Sequence, residues 1–546
     1  MLIKSIHKKG ATTKTENRRG IFLTNIISKV YERVVLQKIR KDINMDIHQN
    51  GGQRGKGTVD NWMAIIAIRD NNIEYKKETY MYFADAYKCF DRLWLKDCLC
   101  DLNEAGVREK EIKMIYKLNR RAEITVETPV GRTNKFLAKE IVKQGTVFGP
   151  VMCCASTQKV NSIGGKTTTM IGADLGIETL VYVDDIAGAG SKTVIESVIK
   201  NTAKMEKEKK FTFNKEKTKY IRMTKKNTPE GEIEESIGQG KVERVQEYKY
   251  LGNYISQNGT AERQMEEIQR KGEIIGKEIA RLTYNNLGSM KVQTGIFMYK
   301  NVGIPSIFHN MEMWTRLRKK DIELMERVQG QVLRRIIGLP RTTSYWGILC
   351  ELGMWPVESI LLYKRLMIYH QIENAKDERL AQRIVEQQKK DERATSWYGE
   401  MKERVKKMKV NLEEAKTTPK SLWKKMVKKR INENVEEEAG KEIKERTKLR
   451  TIRTFGLKQY VNEMSAEEVR KVMEIKLHMT KLKGNYGIEG MCSLCGKEKE
   501  TTEHMITCER IPEEWKEIKE KDLESEDKQT LRKVVMYYGM VNSMME

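Results

Sequence analysis

The feature that most constrains this chain is the run Tyr182-Val-Asp-Asp185, which sets two carboxylates side by side between apolar residues. Thr179 to Val183 and the residues from Ile186 onward have strand-like composition, so the acids lie in the turn of a predicted hairpin. Like charges this close raise each other's pKa, and they suit a site where Mg²⁺ neutralises them. The alternative is an ordinary hairpin turn, because Asp is a common turn residue.

A second acidic strand end precedes this pair. Asp85 follows the β-rich run Tyr80–Ala84 and lies 184 − 85 = 99 positions before Asp184. Only a folded sheet brings residues so distant together. Three carboxylates at strand ends can hold two Mg²⁺ ions for in-line displacement at phosphorus, with one ion activating a 3′-hydroxyl and the other steadying the leaving pyrophosphate.

Further blocks stand in a fixed order around these acids. Seven of them lie in the first half of the chain: Asn17–Ile21 with Ser28–Arg33, Gln49–Asp60, Phe83–Asp91, Lys143–Pro150, Tyr182–Asp185, Phe213–Lys219 and Tyr248–Gly252. Their identity and order resemble the reverse transcriptase of non-LTR (LINE-type) retrotransposons. Two later stretches, Gly338–Thr343 and Glu351–Pro356, are similar to the region after the thumb in this family.

The resemblance implies an α+β right-hand polymerase (fingers, palm with an antiparallel sheet, helical thumb) that copies RNA into DNA with two Mg²⁺. It implies an RNA template, a DNA primer or target DNA, and deoxynucleoside triphosphates as partners. The implied catalytic and metal-binding residues are Asp85, Asp184 and Asp185, with Lys217 acting on pyrophosphate. The implied substrate-binding residues are Phe90, Gln144, Gly145, Tyr182, Arg54 and Lys56, and the implied primer grip is Tyr250, Leu251 and Gly252.

Three of these assignments have a plainer alternative. An arbitrary Phe packs in a core, although the five-residue offset of Phe90 from Asp85 favours contact with the sugar and exclusion of a 2′-hydroxyl. Lys217 is otherwise one more solvated charge in a basic chain. A Gly-rich basic loop such as the one carrying Arg54 and Lys56 is more often a linker than a phosphate-binding loop.

Three cysteines and one histidine form a compact group near the C-terminal end. Cys492, Cys495, His504 and Cys508 fall within seventeen positions, in a chain with nine Cys and six His. The spacing C-x₂-C, then H-x₃-C, predicts a closed, structural Zn²⁺ site on a nucleic-acid-binding module. A redox pair at Cys492 and Cys495 is the alternative. A zinc hydrolase is disfavoured because four protein ligands leave no open coordination position.

Charge and composition favour a polyanionic partner. The chain has 546 residues, with 102 Lys and Arg against 77 Asp and Glu, a net charge of +25. Such an excess favours phosphate neutralisation, with an acidic membrane surface as the main rival. No run of 18 apolar residues exists to span a bilayer, so no membrane association is predicted. The scattered cysteines read as reduced thiols in a nuclear or cytoplasmic compartment.

The predicted organisation has six parts: partial fingers at 1–75, palm at 76–260 with a fingers insertion at about 100–140, thumb at 261–345, a helical basic region at 346–480, the zinc module at 481–511 and a helical tail at 512–546. In the thumb, Ile268, Ile274, Ile275 and Ile279 are spaced as a buried helical face. Residues 403–430 hold eleven Lys or Arg against three acids. Within them Trp423 either stacks on a base or is simply buried.

Departures from the family pattern bear on activity. Blocks that usually precede Asn17 are largely missing, so the chain looks N-terminally truncated, and no endonuclease is evident. A separate endonuclease would then supply any strand nick. The competing hypothesis is a catalytically inert nucleic-acid-binding remnant of such an element. The intact acids at 85, 184 and 185 favour activity over inertness.

Overall fold

The structure is a computed structural model. It describes the chain except for residues 9, 13, 129–130, 139–141, 162–178, 210–211, 225–231, 238–239, 285–290, 377, 447–448 and 546. The chain divides into two compact units. Unit 1 comprises Met1–Thr260 and Gln371–Glu400, and unit 2 comprises Ala261–His370 and Met401–Glu546.

The N-terminal part of unit 1 mixes strands and helices. Its elements in chain order are β1 Leu2–His7, β2 Arg18–Leu23, α1 Ile26–Asp42, α2 Thr58–Tyr75, β3 Thr79–Asp85, α3 Cys89–Arg92, α4 Leu95–Glu104, α5 Glu109–Asn119, β4 Ala122–Thr128, β5 Gly131–Arg132, β6 Phe136–Ala138, α6 Gly149–Thr157, β7 Thr179–Tyr182, β8 Asp185–Gly190, α7 Lys192–Lys209, β9 Lys219–Met223, β10 Ser236–Ile237, β11 Gly240–Lys241, β12 Glu243–Arg244, β13 Glu247–Tyr250 and β14 Asn253–Ser256.

The named elements after Thr260 are all helices. They are α8 Glu262–Tyr284, α9 Val292–Met298, α10 Ile304–Ile307, α11 Lys319–Ile337, α12 Tyr345–Leu352, α13 Val357–Glu373, α14 Leu380–Asp391, α15 Trp397–Lys406, α16 Glu414–Thr417, α17 Lys420–Glu445, α18 Gln459–Glu463, α19 Ala466–Lys476, α20 Thr502–Thr507, α21 Glu520–Leu523 and α22 Lys528–Met545. A π-helical turn, Tyr299–Gly303, joins α9 to α10.

The strand β3 is the centre of a five-stranded sheet with the order β12-β9-β3-β8-β7. Its first six side chains are buried, as its apolar and aromatic sequence predicts. It pairs antiparallel with β8 on one side and with β9 on the other. A second sheet has the order β2-β1-β4-β5, with β6 on β4. Unit 1 therefore has the mixed helix and sheet content that the sequence predicts.

One buried apolar cluster fastens helices to the central sheet. It includes Val35 of α1, Leu102 of α4, Met152 of α6, Ile195 of α7 and Tyr82 of β3. Burial of side chains of this size stabilises each by roughly 1.5–3 kcal/mol relative to exposure. This packing holds the sheet in place beneath the end at which the acidic residues lie.

Residues 371–400 join unit 1 through α14. Arg379, just before this helix, makes a buried bidentate ion pair with Asp60, with Nη2 to Oδ1 at 2.7 Å. Asp60 also accepts from the backbone N–H of Gly57 at 2.8 Å and so caps the start of α2. A carboxylate this deeply buried requires such partners.

In unit 2, α8 packs closely on α11, but its buried face differs from the predicted one. Ile268 and Ile279 are buried as predicted, whereas Ile274 is 48 % exposed. Gly272 takes the contact position instead. A Cβ there would lie 2.3 Å from Cγ1 of Val328, so the absence of a side chain allows the two helices to approach.

Trp423 of α17 is fully buried in unit 2. Its indole Nε1 donates to the carbonyl oxygen of Leu366 at 3.1 Å, and its ring stacks on His370 with centroids 5.8 Å apart. The suggestion that Trp423 stacks on a base is therefore wrong. Its hydrogen bond and its packing are both satisfied inside the protein.

Across the part of the chain that the structure describes, no helix combines the length and the apolar composition needed to cross a membrane.

Candidate active site and Cys/His centre

Asp85 and Asp185 are direct cross-strand partners at one end of the central sheet. The register of β3 on β8 sets Asp85 opposite Asp185, and the register of β7 on β8 sets Tyr182 opposite Asp185. Val183 and Asp184 form the turn between β7 and β8. Acids that lie 99 positions apart in the sequence therefore meet at one sheet end, as the two acidic motifs predict.

The three carboxylates disturb one another electrostatically. Burial and then the charge of Asp85 raise the pKa of Asp184, while Arg19 and Lys8 oppose the shift. Burial and then the charges of Asp184 and Asp85 raise the pKa of Asp185 to about 7. Such a group carries a full negative charge at neutral pH only if nearby positive charge stabilises it.

Asp85 is paired with Lys217, whose Nζ contacts its Oδ2. The oxygens of Asp85, Asp184 and Asp185 do not all lie within 4.8 Å of one another. Among the described residues, the group of possible metal ligands that meets this limit lies in unit 2. The three acids thus form an open, electrostatically coupled set, with Lys217 supplying positive charge beside them.

Backbone hydrogen bonds fix the segment that carries Lys217. The N–H of Asn214 donates to the carbonyl of Asp85 at 2.8 Å, and the N–H of Lys217 donates to the carbonyl of Asn214 at 3.1 Å. The hydroxyl of Tyr248 donates to the carbonyl of Lys217 at 2.7 Å, while its ring stacks on Phe83 with centroids 4.5 Å apart. Tyr248 is not among the predicted site residues. The sequence could have indicated it, because residues two positions apart in a strand lie on the same face, and Tyr248 therefore shares a face with Tyr250.

Two buried polar side chains hold the turn between β7 and β8. Val183 has a φ of 61°, a conformation that β-branched residues rarely adopt. Its N–H donates to Oε1 of Gln49 at 3.2 Å, and its carbonyl accepts from the hydroxyl of Thr157 at 2.5 Å. Gln49 also donates to Thr157 at 3.1 Å, which closes the network. Both ends of the strained residue are thus held by side chains that are themselves fixed.

Gly51 lies directly against the same turn. A Cβ at this position would lie 2.3 Å from the backbone nitrogen of Val183. The preceding residues run beside β7, with the N–H of Asn50 donating to the carbonyl of Val181 at 2.9 Å. The Gly-rich segment therefore buttresses the acidic turn, a role that its composition alone does not indicate.

The structure describes the immediate surroundings of three of the predicted nucleotide-contacting residues. Phe90 is half-buried and packs partly on the apolar core. Gln144 is half-buried, and its carbonyl accepts from the N–H of Phe22 at 2.8 Å. Gly145 has a φ of 109°, and a Cβ there would lie 2.7 Å from the carbonyl oxygen of Phe22. This position requires glycine because of both its backbone conformation and the close approach of β2.

The basic residues of the Gly-rich loop differ from each other. Arg54 is exposed. Lys56 is half-buried and donates to the carbonyls of Ile47 and Gln49 at 3.3 and 3.4 Å, so it holds the loop. The positive charges that act on Asp184 are instead those of Arg19 and Lys8. Arg19 lies in the first of the seven sequence blocks and Lys8 lies in none of them, but the relation of both residues to Asp184 exists only in the folded unit.

The predicted primer-grip residues form the turn of the β13–β14 hairpin. Tyr250 pairs with Asn253, so Leu251 and Gly252 form a two-residue turn. Both have positive φ, 40° and 90°, as a type I′ turn requires. The buried hydroxyl of Tyr250 accepts from Nδ2 of Asn61 at 2.7 Å, which ties the hairpin to α2.

The four predicted zinc ligands lie together in unit 2. The ligand atoms of Cys492, Cys495, His504 and Cys508 are all within 4.8 Å of one another. Two of these separations are 3.9 Å, between Sγ of Cys492 and Sγ of Cys508, and 3.2 Å, between Sγ of Cys495 and Nε2 of His504. Tetrahedral zinc with Zn–S bonds of about 2.3 Å needs sulfur atoms about 3.8 Å apart.

The surroundings of this group also suit zinc. Nδ1 of His504 lies 3.1 Å from Oε2 of Glu498, an arrangement that orients a metal-binding imidazole. A hydrogen bond from the backbone of Lys497 is the largest of several effects that lower the pKa of Cys495 to about 6, which favours the thiolate that binds metal. Four converging ligands favour the zinc site over a redox pair of two thiols.

Comparison with known proteins agrees with the geometry. Residues 6–255 match the family described as reverse transcriptase (RNA-dependent DNA polymerase). This segment is a reverse transcriptase domain. Its matched range contains all three aspartates and Lys217. The resemblance to the reverse transcriptases of non-LTR retrotransposons, inferred from the order of the seven blocks, is thereby confirmed.

One curated relative is the RNA-directed DNA polymerase from mobile element jockey of Drosophila funebris. It is 21 % identical over 347 residues, which cover 62 % of this chain and 37 % of the relative. The chain therefore spans little more than a third of that protein.

The solved structures with similarity to this chain include telomerases. The apo telomerase of Candida tropicalis truncated from its C-terminal domain has a TM-score of 0.32 at 16 % identity, covering 46 % of this chain and 52 % of that one. The telomerase of the same organism in complex with a fragment of telomeric RNA has a TM-score of 0.31 at 14 % identity, covering 66 % and 56 %.

Replacing Gly51 with alanine tests the support of the acidic turn in the reverse transcriptase domain. The new Cβ meets a backbone atom that cannot rotate away, so we expect Gly51→Ala to lower the free energy of unfolding by about 1–3 kcal/mol. Gly440 in α17 has no atom within 4 Å of its added Cβ. Gly440→Ala should stabilise by up to about 1 kcal/mol, because alanine is the better helix former. Urea unfolding measures both, and unchanged stability of Gly51→Ala would contradict the close contact.

Removing one ligand tests the Cys/His centre. We expect Cys492→Ser to lose most of the bound zinc, measured by metal analysis of purified protein, because three ligands bind far more weakly than four. Cys100 is an exposed thiol outside the group. Cys100→Ser should therefore keep one zinc per chain, and equal zinc content in the two variants would exclude this centre.

Proposed function

We propose that this chain is an RNA-directed DNA polymerase of a non-LTR retrotransposon, which extends a DNA 3′ end on an RNA template from deoxynucleoside triphosphates. The observation that carries the proposal is the register of β3 on β8, which sets Asp85 opposite Asp185 with Asp184 beside them. The match of residues 6–255 to the reverse transcriptase family supports it.

The acids suit divalent cations. Asp85, Asp184 and Asp185 would hold two Mg²⁺ ions, since their oxygens are hard ligands and their mutual repulsion needs positive charge. Bound there, Mg²⁺ supplies Lewis-acid stabilisation of the attacking and leaving oxygens. The raised pKa of Asp185, about 7, fits a carboxylate whose charge is stabilised when such ions bind.

Positive side chains of the domain complement the triphosphate. Lys217 lies at the acidic end of the sheet, paired with Asp85. Once its ammonium group moves away from Asp85, Lys217 would screen or protonate the departing pyrophosphate. Arg19 and Lys8 act on Asp184 from the N-terminal hairpin. We assign them to the phosphate groups of the incoming nucleotide, in addition to Arg54 of the Gly-rich loop.

The remaining site residues would shape the pocket for sugar and base. Phe90 would lie under the sugar and exclude a 2′-hydroxyl. Gln144 and Gly145 would lie against nucleotide and template, with Gly145 permitting close backbone approach. Tyr182, beside the acids, would contact the primer end or nucleotide. Lys56 would act indirectly, through the loop whose carbonyls it binds.

The predicted boundary between palm and thumb coincides with a boundary between the compact units, whereas residues 371–400 of the predicted helical basic region belong to unit 1. Unit 1 ends its first segment at Thr260 and unit 2 begins at Ala261, where the palm is expected to give way to the thumb. Tyr250, Leu251 and Gly252 would form the primer grip just before this boundary. The Cys/His centre would hold a structural zinc ion, and any nick in target DNA would come from a separate endonuclease.

Replacing one acid tests the polymerase. We expect Asp184→Asn to lower Mg²⁺-dependent extension of oligo(dT) on poly(rA) by two or more orders of magnitude, about 3 kcal/mol or more in the barrier. Nucleic-acid binding should persist. Glu234→Gln, at an exposed acid outside the seven sequence blocks, should retain parental activity. A parent protein that binds the template but is as inactive as the mutant would favour the inert remnant instead.

Shortening Phe90 tests the assignment of sugar selection. Phe90→Ala opens space under the 2′ position, so we expect ribonucleotide incorporation relative to deoxynucleotide to rise at least tenfold. The measurement is single-nucleotide extension with dTTP and UTP in parallel. Phe136→Ala, at an aromatic residue that is 48 % exposed, should leave the ratio unchanged. Unaltered discrimination in Phe90→Ala would assign this ring to core packing alone.

A further inference from the structure

Helix α17 carries its charges in the reverse of the order that its own dipole favours. Its first eleven residues hold Lys420, Lys424, Lys425, Lys428, Lys429 and Arg430 and no acid, whereas six glutamates follow between 433 and 445. The N-terminal end of a helix favours acids and the C-terminal end favours bases. This order of charges therefore lowers the stability of the helix. We infer that the lysines serve a purpose other than folding.

The lysines in the N-terminal half of α17 lie away from the protein interior. Trp423, Val427 and Ile431 form the buried seam of α17. The five lysines lie on the other sides of the helix and are all exposed. Within the described parts of the chain, four of them have no acidic oxygen within 4.0 Å, and Lys429 has only Glu433, at 3.9 Å.

Another lysine adds to this concentration of positive charge. Lys300, in the π-helical turn of the same unit, has its pKa lowered by burial and then by the charge of Lys428. Like charges held together repel each other unless an anion lies between them. The neighbouring Phe297 and Val302 are 65 % and 58 % exposed.

The helix offers these charges on a fixed support. Trp423 anchors its first turn through the hydrogen bond to Leu366 and the stack on His370. Nε2 of His370 in turn contacts the carbonyl of Thr418 at 2.8 Å, immediately before the helix. Because little ordering remains to be done on binding, such a surface suits an extended ligand with regularly spaced negative charges.

We propose that the basic face of α17 (Lys420, Lys424, Lys425, Lys428 and Lys429), together with Lys300, binds the phosphodiester backbone of a nucleic acid at a site separate from the aspartates. Lysines four residues apart recur about every 6 Å along the helix, close to the rise of two nucleotides in one strand. A membrane is disfavoured, because the apolar seam of α17 is buried, which leaves the exposed side chains of Leu422, Phe297 and Val302 for insertion rather than a continuous apolar helix face. That this nucleic acid is RNA rests on the proposed function.

Neutralising the face tests this site in the full-length protein. We expect the triple variant Lys424→Ala, Lys425→Ala, Lys428→Ala to bind a 30-nucleotide RNA at least tenfold more weakly by fluorescence anisotropy. The slope of log affinity against log salt should fall by about 2, since single-strand binding loses roughly 0.7 per phosphate contact. The matched control is the triple variant Lys441→Ala, Lys444→Ala, Arg446→Ala. It removes the same charge from the acidic half of α17 and from Arg446 directly after the helix, and it should lose less than twofold.

Reversing charge separates binding from folding. Lys424→Glu with Lys428→Glu should weaken RNA binding further, yet the melting temperature should stay the same or rise, because the change removes the repulsion with Lys300 and suits the helix dipole. Binding is measured without nucleotides, so it does not depend on polymerase activity. A parent protein that fails to extend primers but shows this lysine dependence would refute the proposed function and leave the binding site standing.

Three outcomes would overturn the proposal. One is unchanged binding of both RNA and DNA of the same sequence by the first triple variant. Another is an equal loss in the matched control, which would mean that net charge alone governs binding. The last is lysine-dependent binding to phosphatidylserine vesicles with no effect on nucleic acid.

Discussion

The antiparallel pairing of β3 with β8 is the interaction on which the candidate active site depends. Its register sets Asp85 opposite Asp185, and a slip of one residue would turn every side chain of the strand to the other face. The pairing also brings together like charges, and burial followed by their repulsion raises the pKa of Asp184 and of Asp185. Buried side chains along β3 and β8 offset that repulsion, so the core stabilises an acidic group that would not gather by itself.

The turn that presents Asp184 needs support from elsewhere in the chain. Val183 takes a left-handed conformation, and Gln49 and Thr157 hold its two backbone groups. Gly51 approaches the same turn closely enough that only glycine fits. The Gly-rich segment, the end of α6 and the acidic hairpin therefore act as one structural element. Within the proposed mechanism, these residues act by positioning the acids rather than by touching substrate.

In unit 2, too, the residues that support a proposed site differ from those that would bind its ligand. Trp423 and the apolar seam of α17 belong to the interior, and the lysines beside them remain exposed. A basic helix of this kind contributes little to its own stability at its N-terminal half. The Cys/His centre differs, because its four ligands fall within seventeen positions and need only local folding to converge. In both the basic face of α17 and the Cys/His centre, the proposed binding residues therefore lie close together along the chain and on a rigid support.

Short-range patterns in the sequence determined the hairpin of Tyr182 to Asp185, the strand that ends at Asp85, the Cys/His group and the family resemblance. Spacing and composition are sufficient there because the relevant residues are neighbours along the chain. Tertiary structure alone decided that Arg19 and Lys8 act on Asp184, that Tyr248 holds Lys217, and that Gly272 rather than Ile274 lies on the packed face of α8. Those contacts join segments tens to hundreds of residues apart. The packing of the elements decides which side chains meet. Local periodicity in the sequence does not specify that packing.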